Sequence, residues 1–185
     1  MKNNIKHINL SNFVRPSTFL DIGYRYLWSF VNVLLFRLSP RPFWMFRVYL
    51  LRIFGANIGK GVKLVPNIMI YDPRRLSIGD NSWVGPYCEL YSFDQITIES
   101  NVSLAQHVKL YTVSHDIRSS SFSTIHAPIL VKNQSWIAAD TFVGMGVVIN
   151  QGAVLGARSS AFKSLPEWTV NVGSPAKTIG TRALD

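Results

Sequence analysis

The stretch IGDNSWVGPYCELYSFDQ, Ile78 to Gln95, divides into three units of six, each opening on an aliphatic residue: Ile78, Val84 and Leu90. The same cut works on either side. IGKGVK, LVPNIM and IYDPRR run from Ile58 to Arg75, and IESNVS, LAQHVK and LYTVSH from Ile98 to His115. VKNQSW, IAADTF, VGMGVV, INQGAV and LGARSS follow from Val131 to Ser160. A small or β-branched residue usually fills the fifth place, as at Val62, Ser82, Cys88, Val102, Ser135 and Thr141. A fixed period of six marks a parallel β-helix, in which coils of three short flats stack on one another. Ile58, Ile78 and Ile98 then occupy equivalent places, with two extra residues per turn. Arg74 and Asp94, the exceptions at the fifth place, are expected at corners that bulge outward, while Cys88 points into the core. Gly59, Gly79, Gly85, Gly144 and Gly156 stand second in their units, where corners are expected to need backbone angles that glycine adopts freely.

The chain around this repeat has 185 residues, 48% hydrophobic and 16% charged, enough to bury a core and too apolar for disorder. Its single cysteine cannot close an internal disulfide, which favours a reducing, cytoplasmic setting. The formal charge of +9 is uneven. Up to Lys63 there are ten basic residues, among them Lys2, Lys6, Arg15, Arg25 and Arg37, against Asp21 alone, and beyond it nine basic residues offset nine acidic ones. The surplus is N-terminal, where it could meet an anionic lipid surface, an acidic substrate or nucleic acid. No nucleic-acid motif accompanies it, so no nucleic-acid partner is expected.

Residues 1–54 are expected to form a helical extension ahead of a β-helix domain at 55–185. Apolar side chains recur with helical spacing from Leu20 to Leu38, Pro40 and Pro42 stop the run, and Phe43 to Phe54 forms a second one. Arginines interrupt both runs, so neither is expected to cross a membrane, and a secretory signal fits poorly. The helical pair is expected to cap the solenoid. It could also hold the protein on the inner face of an anionic membrane through arginines and tryptophans such as Trp28 and Trp44.

The hexapeptides, Ser114-His115-Asp116, the WIAA run Trp136–Ala139 and the ending VGSPAK at Val172–Lys177 together resemble the O-acetyltransferases built on a left-handed β-helix. LLFRLSP at Leu34–Pro40 and LLRIFGANIGKGV at Leu50–Val62 are similar to the branch that serves colanic acid and other exopolysaccharides. The resemblance implies a left-handed coil, acetyl-CoA as donor, no metal, and a homotrimer. It implies a sugar or oligosaccharide acceptor from a polysaccharide precursor, one that could be lipid-linked. The donor's pantetheine arm would lie between subunits over Trp136, Ala139 and Ala157, with Lys163 and Lys177 meeting its phosphates. A backbone amide near Ala139 would serve as oxyanion donor.

The repeat breaks after His115, and the excursion expected over residues 116–130 is where a rigid solenoid would carry function. Acyl transfer to a hydroxyl needs a base, and imidazole titrates near neutrality. The resemblance assigns that role to His115, with direct attack and no acyl-enzyme. Asp116 is a candidate to orient the ring or stabilise the imidazolium. Ser114 is expected to pack inward, His107 to sit at an outward corner and His126 to lie in the excursion. The chain departs from the family at Ala161-Phe162-Lys163-Ser164, which lacks a threonine, and at Gln151 and Ser174. A related acyltransferase acting on serine, an antibiotic or an amino sugar is the alternative. A non-catalytic solenoid scaffold and a histidine-ligated metalloenzyme on the same coil are more distant ones.

Overall fold

The computed structural model describes residues 7–14 and 16–184; Lys2, Lys6, Arg15 and Asp185 of the charge count lie outside the described residues. From Asn57 onward the chain winds into a parallel β-helix with three faces. The first face stacks Asn57–Ile58, Leu76–Ile78, Ile96–Ile98, Ile129–Val131 and Val148–Ile149. The second runs from Lys63–Leu64 through Trp83–Val84, Ser103–Leu104, Trp136–Ile137 and Val154–Leu155 to the antiparallel pair Thr169–Val172 and Lys177–Thr181. The third stacks Met69–Ile70, Glu89–Tyr91, Lys109–Tyr111, Phe142–Val143 and Ser160–Ala161.

The residue that opens each unit points inward. Ile58, Ile78, Ile98, Val131 and Ile149 form one column, and Leu64, Val84, Leu104, Ile137 and Leu155 the next. Ile70, Leu90, Leu110, Val143 and Ala161 complete the triangular core. All are buried, and each large side chain among them is worth about 1.5–3 kcal/mol of burial. The fifth places close the corners from inside, since Val62, Ser82, Cys88, Val102, Ser135 and Thr141 are all buried. Arg74 and Asp94 turn outward as expected. Arg74 reaches Asp72 and Asp21, and Asp94 binds His126.

The glycine expectation is corrected. The left-handed backbone falls on the fourth residue of the unit, at Gly61, Asn67, Asn81, Tyr87, Asn101, His107, Gln134, Asp140, Gly146, Gly152 and Arg158, and not on the second. At Gly59, Gly79 and Gly85 the second place needs glycine because the backbone of the next coil lies against it. A Cβ on Gly79 would meet Ser100 N at 2.6 Å, and one on Gly85 would meet the Ala105 carbonyl carbon at 2.7 Å.

Two helices cover the first coil: α1, Phe19–Val31, extended by a wide turn Asn32–Phe36, and α2, Trp44–Ile53. Thr18 and Asp21 cap α1 reciprocally. Trp28 is buried and donates its indole N–H to Ile70 O (2.7 Å). Arg47 is fully buried, with no carboxylate partner among the described residues; its guanidinium donates to Leu64 O (2.8 Å), Pro40 O (2.9 Å), Arg41 O (2.6 Å) and Ser39 Oγ (2.7 Å). One side chain thus ties the proline turn and α2 to the edge of the second face. Among the described residues no helix is long and apolar enough to cross a membrane.

Two consequences are measurable. Gly79→Ala should lower the urea stability by about 1–3 kcal/mol, because its methyl group meets backbone that cannot move aside, whereas Gly144→Ala, with its nearest neighbour at 3.4 Å, should cost less. Burial pushes the Cys88 thiol up to about 12, so it should not react with a disulfide reagent at pH 8 until the protein is unfolded.

Candidate active site

The solenoid is interrupted at the edge where its third face returns to the first. The last paired residue of the third coil is Tyr111, and the first face resumes at Ile129. Between them the chain forms a β-hairpin, Val113–His115 against Thr124–His126, so the excursion starts earlier than the expected residue 116 and ends before 130. Ser114 is consequently exposed rather than packed inward: it is already on the hairpin, where its register partner is Ile125. Alternation along the strands puts Val113, His115, Thr124 and His126 on one face of the hairpin and Ser114 on the other.

His115 is exposed and oriented by backbone. Its Nδ1 lies 2.7 Å from Phe122 O, and because a carbonyl can only accept, Nδ1 carries the hydrogen. The neutral ring therefore keeps its lone pair on Nε2, the form a general base needs. Asp116 does not supply this orientation, which corrects the expectation for it. Its carboxylate accepts from Arg118 N (2.9 Å) and its own N–H donates to Ser123 O, so it shapes the hairpin turn instead of meeting the ring.

In front of His115 is a cavity of about 300 Å³ with an aromatic wall, Tyr71, Tyr91 and Phe93, and a lid from the N-terminal segment, Phe13, Pro16 and Ser17. Tyr71 and Tyr91 stack at 4.4 Å, and Tyr91 and Tyr111 continue the column at 5.2 Å. The Phe13 ring stands 5.9 Å from that of His115, and Asn9 N donates to Ser120 O (2.8 Å), so the N-terminal segment rests on the hairpin. Beside the cavity, His126 Nδ1 donates to Asp94 Oδ2 (2.7 Å). Burial raises the Asp94 pKa, but the hydrogen bonds from His126 and from Gln95 N outweigh it and hold the carboxyl below its usual range.

The lid and the wall were not foreseen. The wall had a signal in the sequence: Tyr71, Tyr91 and Tyr111 recur at the spacing of a full coil, each following an inward aliphatic. The lid had none, since it depends on contacts between residues about a hundred positions apart.

The residues expected to hold the donor are split between two edges. Ala139 and Ala157 lie together where the second face meets the third, beside His107, Asp140 and Arg158 in a cavity of about 480 Å³. Trp136 stands on the adjoining second face, 47% exposed. Among the described residues the Ala139 N–H makes no backbone hydrogen bond. Lys163 instead follows the last strand of the third face, on the same edge as the hairpin of His115, and Lys177 is exposed on the C-terminal hairpin. One copy therefore does not gather the whole set. His107, out on the second-to-third edge, stacks on Tyr87 at 5.1 Å, far around the coil from His115. Among the described residues no three His, Cys, Asp or Glu side chains group as a metal site would require.

No family model matches the chain. The Escherichia coli protein named "Putative colanic acid biosynthesis acetyltransferase WcaF" is 43% identical over 156 residues, 84% of this chain and 86% of the relative. A maltose O-acetyltransferase from Clostridium difficile superposes with a TM-score of 0.79 at 24% identity, over 90% of both chains. A hexapeptide-repeat acetyltransferase of Vibrio cholerae in complex with acetyl-CoA superposes with a TM-score of 0.83 at 21% identity, over 91% of this chain and 92% of the other. At those identities the two structures speak for the fold, while the sequence relationship speaks for descent. The chain belongs to the hexapeptide-repeat acetyltransferases, in the branch of the colanic acid biosynthesis acetyltransferase.

Proposed function

We propose that this protein transfers the acetyl group of acetyl-CoA to a hydroxyl of a sugar in a polysaccharide precursor, with His115 as general base. The observation that carries the proposal is the fixed His115 ring, whose Nε2 has no hydrogen-bond partner among the described residues, beside an aromatic-walled cavity. Aromatic faces suit the apolar C–H faces of a sugar ring and hold it so that a hydroxyl reaches the base. Nε2 takes the hydroxyl proton as the oxygen attacks the thioester carbonyl. The tetrahedral intermediate then collapses, the C–S bond breaks, and the CoA sulfur leaves with the proton returned by the imidazolium. The products are an acetyl ester and free CoA. The unengaged Ala139 N–H is a fitting donor to the oxyanion.

The split of the donor residues supports a homotrimer as the working unit. Three copies around an axis would bring the second-to-third edge of one, with Trp136, Ala139 and Ala157, against the hairpin edge of the next, with His115 and Lys163. Lys163 and Lys177 then meet the CoA phosphates as point charges.

The N-terminal helices support membrane contact from the cytoplasmic side, where a lipid-linked acceptor would be met. Phe19, Leu20, Phe30, Leu38 and Met45 all stand exposed, far more apolar surface than capping requires. Arg37, Arg41, Lys60 and Lys63 accompany them, so an anionic bilayer satisfies both the apolar and the charged groups.

His115→Ala should lower kcat by about 10²–10⁴ while calorimetric acetyl-CoA affinity stays close to wild type; loss of both would make His115 structural. Asp116→Asn should leave kcat near wild type, and a loss as large as that of His115→Ala would restore the carboxylate to the mechanism. The protein should co-sediment with vesicles containing phosphatidylglycerol and be released by Arg37→Glu with Arg41→Glu, whereas equal binding to neutral vesicles would refute electrostatic docking.

A further inference from the structure

The first coil has no coil beneath it, and one backbone donor is left over as a result. At the corner between the first and second faces, the fourth residue of each unit donates its N–H to the coil before. Asn81 N donates to Lys60 O (2.8 Å), Asn101 N to Asp80 O (2.8 Å) and Gly152 N to Asn133 O (2.9 Å). Gly61 holds that place in the first coil, and among the described residues its N–H has no backbone partner. By the same repeat this N–H points out of the open end of the solenoid, where Gly61 lines a cavity of about 480 Å³ between the corner and α2. One wall of the cavity is cationic, formed by Arg52, Lys60 and Lys63, and no acidic side chain lines it. Among the described residues none of the three is paired with a carboxylate. Arg52 is fixed by donation to Ile58 O (3.0 Å) and Gly59 O (3.1 Å). The other wall is Trp44, Met45 and Tyr49 of α2, all exposed, with Lys63 Nζ 5.8 Å over the Trp44 ring. Met45, Tyr49 and Ile53 follow at intervals of four, so an exposed apolar stripe runs along α2 from the cavity, on the side away from the buried Arg47 and Leu51.

We propose that this cavity binds the phosphate of an anionic membrane phospholipid and so sets which end of the protein faces the bilayer. This inference rests on the membrane contact above and specifies its ligand and its orientation. The lipid phosphate accepts from the Gly61 N–H and lies between the charges of Lys60 and Lys63, while the glycerol and the start of the acyl chains meet Trp44, Met45 and Tyr49. Both walls select this occupant. A free phosphate would leave the stripe on α2 facing water, and a neutral lipid would bring apolar groups against cations with nothing to neutralise them. With the phosphate at the open end of the first coil, that end faces the bilayer. The hairpin of His115, which leaves the third coil, then stands two coil spacings, about 10 Å, further out.

The test uses the full chain with phosphatidylcholine vesicles that contain or lack phosphatidylglycerol. Lys60→Gln with Lys63→Gln should weaken binding to the anionic vesicles by about tenfold or more, with Tm unchanged because both side chains are exposed. Lys109→Gln with Lys132→Gln makes the same change of charge on later coils and should weaken binding by less than about twofold. With brominated acyl chains in the vesicles, tryptophan fluorescence should be quenched in the wild type, and most of that quenching should disappear in Trp44→Phe. Equal losses in the two double variants would reduce the attraction to diffuse charge and overturn the site. Quenching that survives Trp44→Phe would overturn it too, and either result leaves the membrane contact itself standing. The phosphate source is separated by calorimetry with inorganic phosphate and with monomeric dihexanoyl-phosphatidylglycerol. The lipid should bind more tightly, and equal binding of the two would make this a site for free anions and overturn the proposal. Should the wild type bind no vesicle, the membrane contact fails, and the site is judged by the dihexanoyl lipid alone. Binding lost in Lys60→Gln with Lys63→Gln supports it, and no binding to the wild type refutes it.

Discussion

Each coil of this protein hydrogen-bonds to the next at the spacing of neighbouring strands, about 4.8 Å, and that contact repeats along every face. Whatever a residue does in one coil, its counterpart above must do too. First-place columns become uniformly aliphatic, and the fifth places admit Ser82, Ser135 and Thr141 only because their hydroxyls donate to the carbonyls of Glu99, Asn150 and Ala138. Residues in the second place shrink to glycine where the next backbone leaves no room for a Cβ. At the corners without extra residues the fourth place turns left-handed, because a corner of so few residues cannot close otherwise. The six-residue rhythm is the imprint of this single contact on the chain. Its ends are the exception, since the first coil has nothing beneath it. There the buried Arg47 and Trp28 bind carbonyls of the first coil that no earlier strand could reach.

A scaffold so repetitive cannot shape a pocket from its regular parts, because every coil presents nearly the same surface. The candidate site therefore collects where repetition fails. The hairpin leaves the coil between Thr112 and Pro128 and aims one of its faces at the tyrosine column. The N-terminal segment comes back over that face and closes it with Phe13. The tyrosine column itself is periodic, and only these two non-periodic pieces turn it from a ridge into the wall of a cavity.

This division also explains what could be read from the sequence. The coil, the inward first and fifth places of its regular units and the outward turns at Arg74 and Asp94 all follow from a period of six, which is local information; the break was read a few residues late, because Val113–His115 still fits the period although it is already on the hairpin. The placement of glycine was misread because a glycine in a short unit fits either an unusual backbone angle or a close approach, and only the next coil shows which applies. The orienter of His115 was misread for a related reason. Asp116 is its neighbour in sequence, but the strand turns that side chain away, and a backbone carbonyl seven residues on takes the place beside the ring. The N-terminal lid could not be placed at all, since its position comes from packing between distant parts of the chain.

The edges of the solenoid are not equivalent, and the difference bears on where the donor sits. Where the first face meets the second, the left-handed fourth places are Gly61, Asn81, Asn101, Gln134 and Gly152, mostly residues that take this backbone at low cost, with Trp168 after them in the last turn. Where the second face meets the third, they are Asn67, Tyr87, His107, Asp140 and Arg158. Tyr87 and Arg158 in that conformation cost about 1 kcal/mol or more apiece, as Gln134 and Trp168 do on the other edge, a strain that survives where the side chain has a task. Stability alone would have filled both edges with asparagine and glycine. The strained edge is also the one that carries Ala139 and Ala157, and His107, Asp140 and Arg158 line the same cavity. Their backbone throws these side chains outward, toward whatever lies along the edge, and the Arg158–Asp140 contact at 3.5 Å leaves both largely in solvent, so that pair does not repay the strain. A ligand bound along this edge would repay it, which makes the costly corner an independent reason to place the donor there.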